Sequence, residues 1–290
     1  MTIAKDLKYR FQKFSVADKL IVVTTVIFVL HLLLERSYTS FFSYFRLTDA
    51  LTDGLYKPWM FVTYAFFHNI SNPIHIVVNM FVLHFIGNYF INLFSETKFL
   101  SIYFFGIVLG GLVFFLGAQI PFNQMIAQKT LYLVGASAAL RALIIFLVMY
   151  SPNMEINIFN FRVALKYIGI IVVLFDVYLL FGKQPGSGLA HIGGSLAGCL
   201  YAMNIKSGST MGSGLERFIV TISQLFKKKS HLKTVHKTRS EKLKVHKTDY
   251  QKNREKQEQI DEILEKISKS GYESLSKKDK QFLFDASKED

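Results

Sequence analysis

The chain has 290 residues, of which 51% are hydrophobic and 19% charged, with a formal net charge of +13 when histidine is neutral. The mean hydropathy is +0.28 even though the chain carries a highly charged tail. So apolar a composition excludes an ordinary soluble protein. Residues 1–226 hold nearly all the long apolar runs, whereas residues 227–290 hold 18 of the 34 Lys and Arg. The single cysteine, Cys199, excludes a disulfide within the chain.

Six stretches approach the length that a membrane helix needs, which is about 20 residues with roughly 17 tolerable. We predict spans at residues 18–34, 74–94, 99–119, 131–150, 166–182 and 189–206. The basic N-terminal segment leads into the first span without a small-residue cleavage site, so we expect that span to be retained. The predicted fold class is therefore an all-α membrane protein with a six-helix transmembrane bundle over residues 18–206.

The segment between the first two spans, residues 35–73, is rich in aromatic residues but too polar and interrupted to cross a membrane. Aromatic rings are favoured at the membrane–water interface. We therefore expect this segment to be an interfacial loop.

Lysine and arginine predict the orientation of the spans. They cluster in the N-terminal segment 1–17, in the loop with Arg162 and Lys166, and at the start of the tail, Lys227–Lys229. With six spans these regions fall on one side, which the positive-inside rule assigns to the cytoplasm. We expect a multi-pass protein of a bacterial inner membrane, with both termini cytoplasmic.

Several polar side chains interrupt the second span, where such residues are costly and usually face the bundle interior. His75 and Asn79 lie four residues apart near the outer end and share one helical face. Their depth favours a functional role. For His84, Asn88 and Asn92 we favour simple hydrogen bonding between helices, worth about 1 kcal/mol.

A serine and a histidine lie among small residues at the outer ends of the fourth and sixth spans. Ser137 stands in the run GASA, residues 135–138, and His191 in the run AHIGG, residues 190–194. The predicted orientation places both side chains in the first turns of their helices at a similar depth. A nucleophile and a base at one depth indicate hydrolysis within the membrane.

Small residues recur every four positions on the sixth span, at Ala190, Gly194 and Gly198. Such faces let helix backbones pack closely in lipid. Close packing of the sixth span on the fourth would bring His191 within hydrogen-bond reach of Ser137.

Together these motifs resemble the rhomboid family of intramembrane serine proteases. The matching residues are His68, the run from His75 to Met80 with Asn79, the GASA and AHIGG runs, and Phe175-Asp176 on the fifth span. The resemblance covers about residues 15–206. It implies a six-span enzyme that needs no cofactor and cleaves single-span membrane proteins near the outer face.

The resemblance also implies a role for each matching residue. Ser137 would be the nucleophile and His191 the general base, forming a dyad without a carboxylate. His75 and Asn79 would donate hydrogen bonds to the developing oxyanion, together with the backbone N–H of Ser137. His68 matches a histidine whose role is structural. An aromatic loop within residues 35–73 and movement of the fifth span would govern substrate access.

Two residues beside the nucleophile depart from the family pattern. Ala138 stands where glycine is common, and Arg141 where a tyrosine often stacks on the histidine. The cation would either lower the basicity of His191 or point toward polar neighbours. The alternative function is therefore a catalytically impaired rhomboid-like protein that binds membrane clients.

A metal-dependent membrane hydrolase or transporter is a third hypothesis, with His68, His75, His84 and His191 as ligands. We disfavour it because no His-Glu-x-x-His pattern occurs. We also expect no acidic residue in the outer halves of the spans.

The tail is predicted to comprise a basic linker, residues 207–256, and a small cytoplasmic helical hairpin, residues 257–290. Within the linker, residues 227–256 hold 12 Lys and Arg against 3 Asp and Glu. We expect attraction to anionic lipid headgroups, about 1 kcal/mol per cation near the surface. Nucleic-acid binding is not expected, because the run lacks interleaved aromatics. In the hairpin, Gly271 should end the first helix and Ser276 begin the second.

Overall fold

A computed structural model describes residues 5, 9, 11–120, 131–158, 160–208, 213–226 and 239–286. The chain divides into two compact units, residues 1–227 and residues 228–290. Helices make up most of the described part of each unit.

The described helices of the first unit include seven of at least 14 residues and two of four and six residues. In chain order the helices are α1 (Val16–Ser43), α2 (Leu51–Tyr56), α3 (Met60–Thr63), α4 (Pro73–Leu93), α5 (Glu96–Gly117), α6 (Ser137–Tyr150), α7 (Leu165–Phe181), α8 (Pro185–Lys206) and α9 (Ser213–Phe226). Two antiparallel strand pairs join them, β1 (Leu47–Thr48) with β2 (Tyr132–Leu133) and β3 (Glu155–Ile158) with β4 (Phe161–Ala164).

The second unit contains α10 (Arg239–Ser270), a 3-10 turn (Tyr272–Ser274) and α11 (Lys277–Ala286). Gly271 ends α10 with a φ of +77°, a conformation that glycine adopts without steric cost. The Ser276 hydroxyl accepts a hydrogen bond from the Asp279 N–H at 3.2 Å, which caps α11. Both residues therefore act as the sequence predicts.

Three helices, α1, α4 and α5, are long and apolar enough to cross a membrane by length and composition, and α6 is a shorter apolar helix. Helix-start signals fix their first turns. Ser15 accepts the Asp18 N–H at 3.1 Å, and Ser95 accepts the Lys98 N–H at 3.2 Å. Pro73 occupies the first turn of α4, where the missing N–H costs nothing.

Helix α8 packs against α5 and α6 through its small residues. A Cβ atom at Gly194 would collide with the carbonyl group of Ala138, and one at Gly198 with that of Ala142. Glycine at both positions lets the two backbones approach closely. These contacts fix the first two turns of α6 against the third and fourth turns of α8.

The first and fourth predicted spans have different bounds in the structure. The first helix continues past residue 34 to Ser43, with a kink at Tyr38. Glu35 is accommodated within it by contacts with His31 at 2.8 Å and Arg46 at 2.7 Å. The fourth begins at residue 137 rather than 131, because residues 132–133 pair with β1.

The sixth predicted span begins earlier than expected, at Pro185 instead of residue 189. Proline at the first helical position accounts for the earlier start, since its fixed φ suits a helix. As a result His191 lies in the second turn of α8, and the expectation of a first-turn position is wrong.

The predicted loop and linker contain more helix than expected. Residues 35–43 of the interfacial segment belong to α1, and α2 and α3 follow within it. The predicted linker 207–256 includes α9 and the first part of α10. Parts of the tail and of segment 1–17 lie outside the described residues, namely 1–4, 6–8, 10, 209–212, 227–238 and 287–290.

Candidate active site

The segment just before Ser137 is held in a conformation that only glycine adopts readily. Gly135 has a φ of +116°, and its N–H donates to the Tyr64 carbonyl at 3.0 Å. A Cβ atom there would lie 2.8 Å from Cε1 of His75. The absence of a side chain at Gly135 therefore allows the His75 ring to approach the backbone two residues before Ser137.

Ser137 is the first residue of α6, and its hydroxyl meets the imidazole of His191 on α8. The distance between Ser137 Oγ and His191 Nε2 is 2.8 Å, within hydrogen-bonding range. His191 is only 5% exposed. The structure thus brings together the two residues for which the sequence predicts a nucleophile and a base.

Asp176 on α7 lies on the other side of the same imidazole. Its Oδ1 atom is 2.8 Å from His191 Nδ1, and the residue is 3% exposed. The expected absence of a carboxylate from the dyad is therefore wrong in this geometry. The expectation that no acidic residue lies in the outer halves of the spans is also wrong, because Asp176 lies in the second half of the fifth span, which is the outer half in the predicted orientation. Physically, a buried acid in an apolar helix needs a partner, and the imidazole provides one.

Arg141, one turn after Ser137 on α6, supplies the second partner of Asp176. Its Nε donates to both carboxylate oxygens, at 2.9 and 3.0 Å. Of the two roles considered for this cation, pointing toward a polar neighbour is the one seen. The guanidinium balances the buried carboxylate, which would otherwise be strongly destabilised.

The tautomer of His191 follows from these partners. An ionised carboxylate only accepts hydrogen bonds, so the Nδ1 atom facing Asp176 carries a proton. The Nε2 atom is then free to accept the Ser137 hydroxyl proton. This is the arrangement in which a neutral histidine serves a serine nucleophile as general base.

His75 and Asn79, near the start of α4, line the same cavity as Ser137 and His191. The cavity has a volume of about 760 Å³. The side-chain amide of Asn79 donates to the His75 carbonyl at 2.9 Å, which fixes its orientation along the helix. Both predicted oxyanion donors therefore border the cavity that the nucleophile faces.

The third predicted histidine, His68, lies in the loop before α4 and is fully buried. Its ring centroid is 5.2 Å from that of His75, and neither ring nitrogen has a hydrogen-bond partner among the described residues. Burial lowers the pKa of His68 to about 3, so the ring stays neutral near pH 7. Its position behind His75 fits a structural role.

Ala138 is packed tightly between two helices. It is 1% exposed, and it contacts α8 at Gly194. A Cβ atom at Gly110 of α5 would lie 2.6 Å from the Ala138 Cβ. The extra methyl group of Ala138 thus fills space between helix backbones and does not point into the cavity.

Two of the remaining polar residues on α4 bond to a neighbouring helix, as predicted. His84 Nδ1 lies 2.8 Å from Asp18 Oδ1, and the Asn88 amide donates to the same oxygen at 3.2 Å. Within the described ranges, no three His, Cys, Asp or Glu side chains are grouped as metal ligands would be.

The residue that sequence reasoning missed is Asp176. It was part of the family resemblance, but no role was assigned to it. A usable signal was present, because Arg141 and Asp176 are opposite charges in two separate apolar helices. Charges buried in this way usually pair with one another.

Two protein-family models match parts of the chain. The Rhomboid domain model matches residues 56–207, which is more than half of the chain. The chain belongs to the rhomboid family and is an integral membrane protein. A second model, described as a family of unknown function (DUF6576), matches residues 246–289. No curated protein matches the chain.

Proposed function

We propose that this protein is an intramembrane serine endopeptidase that cleaves transmembrane proteins near the outer face of the membrane. In this proposal six helices of the first unit cross the bilayer, and both termini are cytoplasmic. The six are α1, α4, α5, α6, α7 and α8. The membrane is a bacterial inner membrane. The charge distribution of the loops supports this orientation.

The observation that carries the proposal is the 2.8 Å contact between Ser137 Oγ and His191 Nε2 at the edge of a cavity. Serine is a weak nucleophile until a base removes its proton. A neutral imidazole within hydrogen-bond distance is such a base.

In the first step, Ser137 Oγ attacks the carbonyl carbon of the scissile peptide while its proton passes to His191 Nε2. The carbonyl oxygen becomes an oxyanion, which accepts hydrogen bonds from His75, Asn79 and the backbone N–H of Ser137. The C–N bond then breaks, and the imidazolium returns its proton to the leaving amine. The product is an acyl ester on Ser137.

In the second step, a water molecule entering the cavity gives a proton to His191 and attacks the ester carbonyl. Collapse of the intermediate releases the new carboxyl group, and Ser137 regains its proton from the imidazolium. The polar residues at the rim, Asn69, Asn72 and Lys183, give water a path to the cavity.

The proposed substrates are single-span membrane proteins with small residues at the cleavage site and a helix that unwinds locally. An extended segment must reach Ser137, because a regular helix hides its carbonyl groups in internal hydrogen bonds. Anionic headgroups near residues 227–256 are the proposed lipid partners.

The test is cleavage of a model single-span substrate in liposomes by the parent, Ser137→Ala and His191→Ala. We expect cleavage by the parent and none detectable with either variant. His84→Ala is the matched control, since His84 also pairs with an aspartate but lies elsewhere on α4. Equal cleavage by the parent and Ser137→Ala would refute the proposal.

A catalytically impaired protein that binds membrane clients is the competing function. Ala138 and Arg141 are the residues that suggest this function. The pairing of Arg141 with Asp176, however, gives the cation a role compatible with catalysis. Labelling by a fluorophosphonate probe separates the two functions. A parent that binds a single-span client but leaves Ser137 unlabelled would favour the impaired protein.

A further inference from the structure

We propose that Asp176 is a positioning residue for His191, and that Arg141 holds the Asp176 carboxylate in place. The inference rests on the proposed function. It extends the pair Ser137 and His191 to a buried hydrogen-bonded chain on three helices, which also includes Asp176 and Arg141. Asp176 touches neither substrate nor scissile bond, and it acts through the imidazole.

The first support is geometric. One carboxylate oxygen of Asp176 is shared by two donors, His191 Nδ1 at 2.8 Å and Arg141 Nε at 2.9 Å. The second oxygen accepts from the same Arg141 atom at 3.0 Å. Since both donors approach one carboxylate edge, Asp176 cannot rotate without losing one of them.

The second support is the placement of Asp176 on a helix that is otherwise mostly exposed. Helix α7 buries only four of its 17 residues, Leu165, Gly169, Asp176 and Leu179. Neighbours on the chain, Phe175 and Val177, are 49% and 45% exposed. An acid at one of the few buried positions of an apolar helix is costly unless its partners stabilise it.

The third support is the balance of charge around His191. The charges of Asp176 on α7 and Arg141 on α6 sum to zero, and the carboxylate is the one of the two that is hydrogen-bonded to the imidazole. On α4 the nearest titratable group is His75, and Lys183 borders the cavity after α7. Helix α5 approaches α8 through the backbone of Leu109 and Gly110, at Gly193.

This arrangement assigns two tasks to the carboxylate. It keeps the Nδ1–H tautomer, so that Nε2 always faces the Ser137 hydroxyl. It also stabilises the imidazolium that forms when Ser137 loses its proton. Because Asp176 is on α7 and His191 on α8, displacement of α7 would weaken the base as well as open the cavity.

The experiment compares kcat, KM and the pH–rate profile for cleavage of a single-span reporter in liposomes. The variants are Asp176→Asn, Asp176→Glu and the double variant Arg141→Gln with Asp176→Asn. The double variant removes both charges at once and leaves no unpaired Arg141. The control is Glu35→Gln, which removes the carboxylate of another helix-borne ion pair, 2.7 Å from Arg46.

We expect Asp176→Asn and the double variant to lower kcat between about 10-fold and about 10,000-fold, with KM changed by less than about 2-fold. The acid limb of the profile should move to lower pH in both, because the imidazolium loses its carboxylate. Asp176→Glu should recover part of kcat. Glu35→Gln should keep the parent profile.

A double variant with the kcat and pH profile of the parent would overturn the inference, since the pair would then be structural only. A second measurement needs no variant: nitrogen-15 spectra of histidine-labelled parent should show His191 protonated at Nδ1. An Nε2–H tautomer would also overturn the inference. Failure of the proposed function is a different result, namely equal cleavage by the parent and Ser137→Ala.

Discussion

Two histidine–aspartate pairs among the described residues have the same contact distance. His191 Nδ1 lies 2.8 Å from Asp176, and His84 Nδ1 lies 2.8 Å from Asp18. Both pairs join two helices of the first unit. By local geometry alone they are nearly indistinguishable.

Their surroundings differ. The side chains of His191 and Asp176 are 7% and 4% exposed, whereas those of His84 and Asp18 are 56% and 26% exposed. The free nitrogen of His191 faces the hydroxyl of Ser137. Burial, and a serine hydroxyl at the second ring nitrogen, distinguish the candidate catalytic histidine from the one that joins two helices.

The largest expected effect comes from replacing the two histidines in turn. His191→Gln should lower kcat by about 100- to 10,000-fold, the usual contribution of a general base. His84→Gln should change kcat by less than about 2-fold, because it lies outside the cavity. Cleavage of a single-span reporter in liposomes measures both, and similar losses in the two variants would remove the distinction.

A second prediction tests the amides beside each histidine. Asn79→Ala should lower kcat by about 100- to 1000-fold, because one oxyanion donor is lost. Asn88→Ala should leave kcat near that of the parent, since Asn88 donates to Asp18 instead. An unchanged kcat for Asn79→Ala would mean that the oxyanion is stabilised by other groups.

A third prediction concerns the glycine near each pair. Gly194→Ala pushes a methyl group against the Ala138 carbonyl, and Gly87→Ala places one 2.7 Å from the Ala17 Cβ. Each should lower stability by about 1 to 3 kcal/mol. Only Gly194→Ala should also reduce kcat, up to about 100-fold, because small misplacements of reacting groups are costly.

Thermal unfolding in detergent and the reporter assay check the glycine variants. Gly214→Ala is the matched control, since a Cβ atom there meets nothing within 4 Å. Its midpoint should match or slightly exceed that of the parent. Loss of activity without loss of stability in Gly87→Ala would contradict the prediction that only Gly194→Ala lowers kcat.

The smallest expected effect belongs to His68, which belongs to neither pair. Its pKa is about 3 in the folded protein, whereas the ordinary value is 6.5. Between these two pH values the unfolded chain binds a proton at His68 that the folded chain does not. Stability from this residue is present above pH 6.5 and is lost as the pH falls toward 3. Between pH 7.5 and 5.5 the loss is about 1 kcal/mol.

His68→Gln removes this titration, so its unfolding midpoint should depend less on pH than that of the parent. The readout is the difference between midpoints at pH 7.5 and pH 5.5 in detergent, whatever the absolute stability of the variant. The same pH dependence in both proteins would show that His68 is not the source.

Much of the fold was predictable because the length of each apolar run in the sequence indicates a membrane helix. The second span was predicted at 74–94 and lies at Pro73–Leu93. The start of α6 was not predictable in the same way. The six residues before it are apolar too. Pairing of residues 132–133 with β1, far away in the chain, and the φ of +116° at Gly135 keep them out of the helix.

The candidate site was predictable where residues carry a motif, and less so where they act through a neighbour. Ser137 and His191 stand in recognisable runs, but Asp176 becomes significant only when α7 lies beside α8. Its spacing from His191, 15 residues, has no meaning along the sequence. Such a contact depends on packing between helices, which periodicity does not encode.

The short pairing of β1 with β2 has a consequence for synthesis of the chain. Leu131 donates its N–H to Asp49 at 3.0 Å, a contact between residues 82 positions apart. During translation β1 therefore cannot pair with β2 until α4 and α5 have been synthesised. The segment ahead of Ser137 becomes ordered only then, and His191 arrives later still. Ser137 is thus synthesised before His191, and the two side chains meet only after α8 has been made.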